Sequence, residues 1–192
     1  MVNDLQKKEF LKLENRIWKT YQSRIKAATR LKEMSNKLDF YSTYYTIALS
    51  ILSVFSLISH NDVFNYFLVV LSILVMGMTF YGNSMNLNDR HISMKNNYLK
   101  LGDLYYKCLT SKINEIYDFA GIYEEYSKLL KENENHTIND YRRYCYYDKN
   151  VRLSKDDKLK LIFSSLKIKL LYFILFIFPL ILLGISIFVL LK

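Results

Sequence analysis

Proline occurs once in these 192 residues, at Pro179, and glycine only five times. Turns and hairpins draw on both, glycine for positive φ and proline for a preset φ. Their scarcity, with no sustained apolar–polar alternation, excludes a sheet protein and leaves an all-α chain. Cysteine is nearly as scarce: Cys108 and Cys145 stand far apart in no metal or redox spacing. A disulfide framework is therefore excluded, and free thiols are expected. The chain also lacks HExxH, GxSxG and a phosphate-cradling glycine loop.

Charge is missing in another sense. Charged residues make up 23% of the chain, yet three long stretches hold none. They are the 22 residues between Asp39 and Asp62, the stretch Val63 to Asn88, and Leu170 to Leu191. A bilayer core takes about 20 apolar helical residues to cross. Of the third stretch, 18 of 22 positions are Leu, Ile, Phe or Val. At about −0.3 to −0.6 kcal/mol each, they favour insertion by roughly 5 to 11 kcal/mol. The expected fold is an all-α integral membrane protein: a hairpin of two transmembrane helices extended into cytosolic helices, plus a third, carboxyl-terminal transmembrane helix. Its expected divisions are a cytosolic amphipathic helix at 1–39, transmembrane helices at 40–61 and 62–87, a cytosolic helical region at 88–169, and a last transmembrane helix at 170–191. No secretory signal peptide is expected, since residues 1–39 are polar and hold 15 charges.

Orientation follows from the basic residues. Residues 1–39 hold 10 Lys and Arg against 5 acids, and residues 88–169 hold 16 against 12. The Ser59-His60-Asn61-Asp62 connection holds none. Basic flanks stay in the cytoplasm. The amino end and the central region are thus expected on the cytoplasmic side of the membrane, the hairpin tip and carboxyl end outside. The net charge of +9 then reflects orientation and anionic headgroups.

The polar parts also carry helical periods. Phe10, Leu13, Ile17, Tyr21, Ala28, Leu31 and Leu38 form one apolar stripe. No Gly or Pro separates it from the first span, so one helix is expected to run into the membrane. Leu87, His91, Met94, Tyr98, Leu101, Tyr105 and Cys108 alternate by four and three, a heptad-like seam. Gly82 is the one weak point between that seam and the second span. A short helix over 118–131 is expected, with Phe119, Ile122, Tyr126 and Leu129 on one side. Residues 131–150 read as an ordered loop or broken helix.

Inside the second span one polar line persists. Asn65, Ser72 and Thr79 recur every seven residues, followed by Asn83 and Asn86. Seven residues fall only about 20° short of two turns, so these share a face. On the first span Ser42, Thr46, Ser50 and Ser53 form a fainter counterpart. Polar side chains in a span face protein or water. The line is either interhelical glue or the lining of a pore built from several copies. No charged residue sits at mid-membrane, which disfavours a proton relay.

Enzymatic chemistry has little to work with, and no enzyme, cofactor or metal is expected. His60 lies at the hairpin tip, His91 on the seam as a packed residue, and His136 in the ENENH run. Glu124 and Glu125 are neighbours pointing apart, and Asp156 and Asp157 read likewise as solvated. Arg142 and Arg143, flanked by Tyr141 and Tyr144, read as a solvated basic surface near the membrane.

The chain resembles a known group through ENRIWKTYQSRIKAATRLK (14–32), the tight hairpin, NNYLKLGDLYYKCL (96–109) and YEEYSKLLKENENHTINDY (123–141). These are similar to the SLATT domain of prokaryotic conflict systems, the two-span effector associated with SMODS nucleotidyltransferases and SLOG sensors. The ENH run ending at His136, followed by Asp140 and Tyr141, carries the most specific likeness, which covers residues 8 to 145. The added carboxyl-terminal span resembles the subfamily found beside reverse transcriptases. The resemblance implies a membrane effector of antiviral defence that assembles with itself, perturbs the inner membrane, and answers a sensor such as a reverse transcriptase or a nucleotidyltransferase product. It also marks Asn135, His136, Asp140 and Tyr141 as signalling candidates. A membrane-anchoring scaffold without pore activity is the alternative.

Overall fold

The computed structural model describes residues 2–59, 62–148 and 153–190. They form six helices: α1 (Val2–Ser59), α2 (Asp62–Met85), α3 (Leu87–Ile113), α4 (Phe119–Lys131), α5 (Ile138–Tyr147) and α6 (Lys155–Leu190). Three stretches of helix are long and apolar enough to cross a membrane, within α1, from α2 onward, and within α6. The chain divides into two compact units, one of Met1–Lys32 with Asn88–Leu161, the other of Glu33–Leu87 with Ile162–Lys192.

α1 runs unbroken for 58 residues. Nothing in its sequence interrupts it, since it holds neither glycine nor proline. The break between α2 and α3 falls at Asn86 rather than at Gly82. Asn86 has φ 45°, and its N–H reaches the Asn83 carbonyl at 3.3 Å. Asparagine tolerates this left-handed conformation because its short polar side chain bonds locally. Gly82 stays inside α2.

The first unit has a water-driven core. Phe10, Leu13 and Ile17 of α1 meet Leu101, Leu104 and Cys108 of α3 and Ile122, Tyr126 and Leu129 of α4, all nearly or fully buried. Each large aliphatic side chain removed from water in this way contributes about 1.5–3 kcal/mol. Trp18 packs on Tyr105 with ring centroids 4.8 Å apart and on Tyr21 at 5.7 Å. Phe119, expected on the inner side of α4, is 37% exposed and stacks on Tyr123. Asp118 caps α4 by accepting the Gly121 N–H at 3.0 Å. A Cβ at Gly121 would stand 2.3 Å from an Asp118 carboxylate oxygen, so a larger residue there would make the capping side chain shift.

The segment read as loop or broken helix contains a true helix, α5. The missed signal is a capping box at Thr137-Ile138-Asn139-Asp140, where Thr137 accepts from the Asp140 N–H and Asp140 accepts from the Thr137 N–H. Two orphan amides at the helix start are thereby satisfied.

The second unit packs differently. Tyr45, Leu52 and Leu71 are buried, with Leu68, Val75, Leu175, Leu182 and Leu183 against them. Most other apolar side chains of α2 and α6 point outward, among them Val70, Ile73, Phe173 and Ile181. In lipid this costs nothing, and helices associate through packing and hydrogen bonds instead.

Candidate functional site

Two polar assemblies stand out, one in each unit. The first is the face of the α1–α2 hairpin. Thr46, Ser50, Ser53, Asn65, Ser72, Thr79 and Asn83 are all exposed, and Asn86 is exposed at the helix break. Most hydroxyls bond back to their own helix. Thr46 donates to the Ser42 carbonyl at 2.7 Å, Ser50 to Thr46 at 3.0 Å and Ser53 to Ser50 at 2.7 Å. Ser72 donates to the Val69 carbonyl at 2.7 Å and Thr79 to Val75 at 3.0 Å.

Two contacts cross between the helices. The Ser42 and Thr79 hydroxyls lie 3.2 Å apart, and the Ser56 hydroxyl donates to the Asn65 side-chain carbonyl. The lines on α1 and α2 are thus joined into one face. At about 100° per residue, Thr46, Ser50 and Ser53 project away from Tyr45 and Leu52, the side of α1 that packs in the core of this unit.

The second assembly lies in the first unit. Arg24 is fully buried. It donates to the Asn97 side-chain carbonyl, to the Leu129 carbonyl at 3.1 Å and to the Leu130 carbonyl at 3.4 Å. Asn97 donates to the same Leu129 carbonyl at 2.8 Å. The last carbonyls of α4 form the negative end of its dipole, a natural seat for a cation. Burial lowers the Arg24 pKa, and Tyr126 and Glu132 oppose that shift.

Beyond α4 the 131–137 segment is tied to α3. Arg90 donates to both Glu134 carboxylate oxygens at 2.8 and 2.7 Å, and Ser93 donates to the Asn133 side-chain carbonyl. Arg30 of α1 grips Asp140 of α5 at 2.9 and 3.2 Å. His136 is half-buried, and its Nδ1 has no partner; neither has Arg24 Nε. Burial and the nearby Arg24 push the His136 pKa below its ordinary 6.5, with Asp140 pulling the other way.

Of the four signalling candidates, Asp140 is buried and paired, and His136 sits beside Arg24. Tyr141 is half-buried with its ring 6.1 Å from that of Tyr144, while Asn135 is exposed. The structure gathers His136 and Asp140 about the Arg24–Arg30 stretch of α1. The seam residue His91 is half-buried, with Nδ1 2.9 Å from the Ala28 carbonyl. Arg142, read as a solvated cation, is engaged by Asp157 at 2.8 Å and by Asn139 at 3.1 Å. His60 and Asn61 of the hairpin tip lie outside the described residues.

Arg24, Arg30, Asn97 and Arg90 were not singled out in the sequence. For two of them a signal exists. Arg24 stands seven residues from both Ile17 and Leu31, and Asn97 falls between Met94 and Leu101 in the seam. A polar residue in phase with an apolar stripe marks a buried polar network.

Both cysteines are free and buried, and burial lifts the Cys108 thiol to about 11. Such a thiol is not a nucleophile at neutral pH. Among the described residues no group of His, Cys, Asp and Glu has the makings of a metal site.

Residues 6–185 match the model of SMODS and SLOG-associating 2TM effector domain family 5. The chain belongs to this family. No curated protein and no solved structure matches this SLATT chain. The match is longer than the resemblance read from the sequence, which ended at residue 145. It extends through α6 as far as residue 185, so the third long helix falls within the family's own pattern rather than beside it. The SLATT description counts two spans, while this member has three helices long and apolar enough to cross a membrane.

Proposed function

We propose that this SLATT protein is a membrane effector of prokaryotic antiviral defence that acts as a regulated homo-oligomeric pore in the inner membrane. One observation carries the reading. The hairpin's polar face is exposed in the single chain, on a side of α1 turned away from Tyr45 and Leu52. Acyl chains are a poor solvent for hydroxyl and amide groups. Further copies of the hairpin, or water enclosed by them, supply the missing surroundings.

Opening depolarises the cell and arrests growth. A neutral lining of Ser, Thr and Asn discriminates weakly among ions. The amino end lies in the cytoplasm and the carboxyl end outside. The Arg24–His136–Asp140 assembly receives the signal of a neighbouring sensor, such as a reverse transcriptase or a nucleotidyltransferase product. No catalytic step is part of this activity.

The test is ion leakage from liposomes and growth arrest in cells, comparing the natural chain with a Ser72→Leu plus Thr79→Leu variant. The variant inserts equally well and leaks at least about tenfold less. Equal leakage would remove this face from the pore. Leakage absent from both proteins, with a partner retained at the membrane, would favour the scaffold reading.

A further inference from the structure

The lone proline of the chain lies inside α6, and its surroundings are unusual. Pro179 has no N–H, so the carbonyl four residues earlier, that of Leu175, loses its helical donor. Within a membrane span water cannot replace it, and an orphaned carbonyl there is costly. The Tyr45 hydroxyl of α1 fills the gap, donating to the Leu175 carbonyl at 2.8 Å. Tyr45 is only 2% exposed, and Pro179 is buried.

Two neighbours repeat the motif. Tyr41 donates to the Tyr172 carbonyl at 2.8 Å and Tyr44 to the Phe176 carbonyl at 2.9 Å. Each also stacks on a ring of α6, Tyr41 on Tyr172 and Tyr44 on Phe176, both with centroids 5.3 Å apart. The residues four further on from those two carbonyls, Phe176 and Leu180, each have an N–H to offer. For the Leu175 carbonyl that residue is the proline.

Past the proline, Leu182 and Leu183 pack against the same core and Ser186 is buried, with one gap beside them. A wholly apolar cavity of about 90 Å³ is lined by Leu52, Phe67, Leu68, Leu71, Leu182 and Ile185. The α6 backbone is thus held by three tyrosine hydroxyls up to its weak point, and an apolar gap lies beside the segment that follows. A proline inside a helix is where such a helix bends.

We propose that the Tyr45 hydroxyl and Pro179 form a latch: the tyrosine supplies the hydrogen bond that the proline withholds, α6 separates from α1 only by baring the Leu175 carbonyl to lipid, and activation passes through this break. The pairing stands on its own geometry. Its link to activation rests on the pore reading above.

The experiment uses the full chain in lipid nanodiscs, with spin labels at the exposed positions Ile47 and Ile181 and both native cysteines changed to alanine. Pulsed electron resonance gives the α1–α6 distance distribution for the natural residues, Tyr45→Phe, Pro179→Ala and the double variant. Tyr45→Phe keeps the ring and removes the donor, and it raises the separated population roughly tenfold or more. Pro179→Ala returns an N–H to the Leu175 carbonyl, so the double variant regains the original distribution. An unchanged distribution in Tyr45→Phe overturns the latch. So does a double variant as separated as Tyr45→Phe, because an N–H returned to the Leu175 carbonyl would then not replace the lost hydroxyl. Liposome leakage is read in parallel and rises in Tyr45→Phe alone. Wider distances with unaltered leakage overturn the link to activation. Leakage absent from every protein overturns the pore reading instead, and the distances still decide the latch.

Discussion

Both carboxylate oxygens of Asp140 meet the guanidinium of Arg30, at 2.9 and 3.2 Å, across 110 residues of sequence. Asp140 has no exposed surface. The same carboxylate accepts from the Thr137 N–H at 2.9 Å and from the Thr137 hydroxyl at 2.7 Å. One side chain thus starts α5 and binds it to α1.

Arg30→Ala leaves the fully buried Asp140 carboxylate without its cation, and Asp140→Ala removes the pair together with the cap of α5. Each is expected to cost about 3–5 kcal/mol of unfolding free energy. The double variant falls short of the sum of the two. Denaturant unfolding of the detergent-solubilised protein, followed by circular dichroism, measures all three. Additive losses would show that the two residues act separately.

Arg24 is expected to resist the substitution most often called conservative. A lysine presents a point charge and cannot serve the Asn97, Leu129 and Leu130 oxygens as a planar fork does. Arg24→Lys should lower stability by about 1–3 kcal/mol, the range for buried hydrogen bonds left unmade. The same unfolding assay decides it, with exposed Lys8→Arg as the neutral comparison.

His136 makes the first unit sensitive to acid. Its folded pKa lies below 6.5 because burial and Arg24 disfavour the imidazolium. At pH above 6.5 both folded and unfolded forms are neutral, so this group contributes no pH dependence there. As pH falls below 6.5 the unfolded chain takes up the proton first, and stability drops until the folded pKa is passed. A decline in unfolding free energy is therefore expected as pH falls below 6.5, and His136→Gln flattens it. A decline of equal slope in that variant would assign the effect to other groups.

These contacts differ in how far they can be read from a string of residues. Leu101, Cys108, Ile17 and Leu129 were legible because a helix with a watery side repeats its buried positions every three or four residues. Thr137 and Asp140 formed a legible cap, overlooked because the aromatic residues after it carry no clean period. Phe119 kept the right period but lies at the start of α4, where little chain is left to cover it.

What the sequence determined by itself is the solvent and the class of fold. Twenty-odd consecutive uncharged, mostly apolar residues admit lipid, and in lipid a single segment satisfies its backbone only as a helix. That logic is local, so it needs no partner. The tertiary structure alone decided who meets whom: Arg24 with Asn97 and the end of α4, Arg30 with Asp140, Tyr45 with the carbonyl that Pro179 leaves bare. Each of these pairs a side chain with an atom 73 or more residues away. Periodicity names the buried face of a helix, but the choice of partner depends on how faces come together, and only packing in three dimensions sets that.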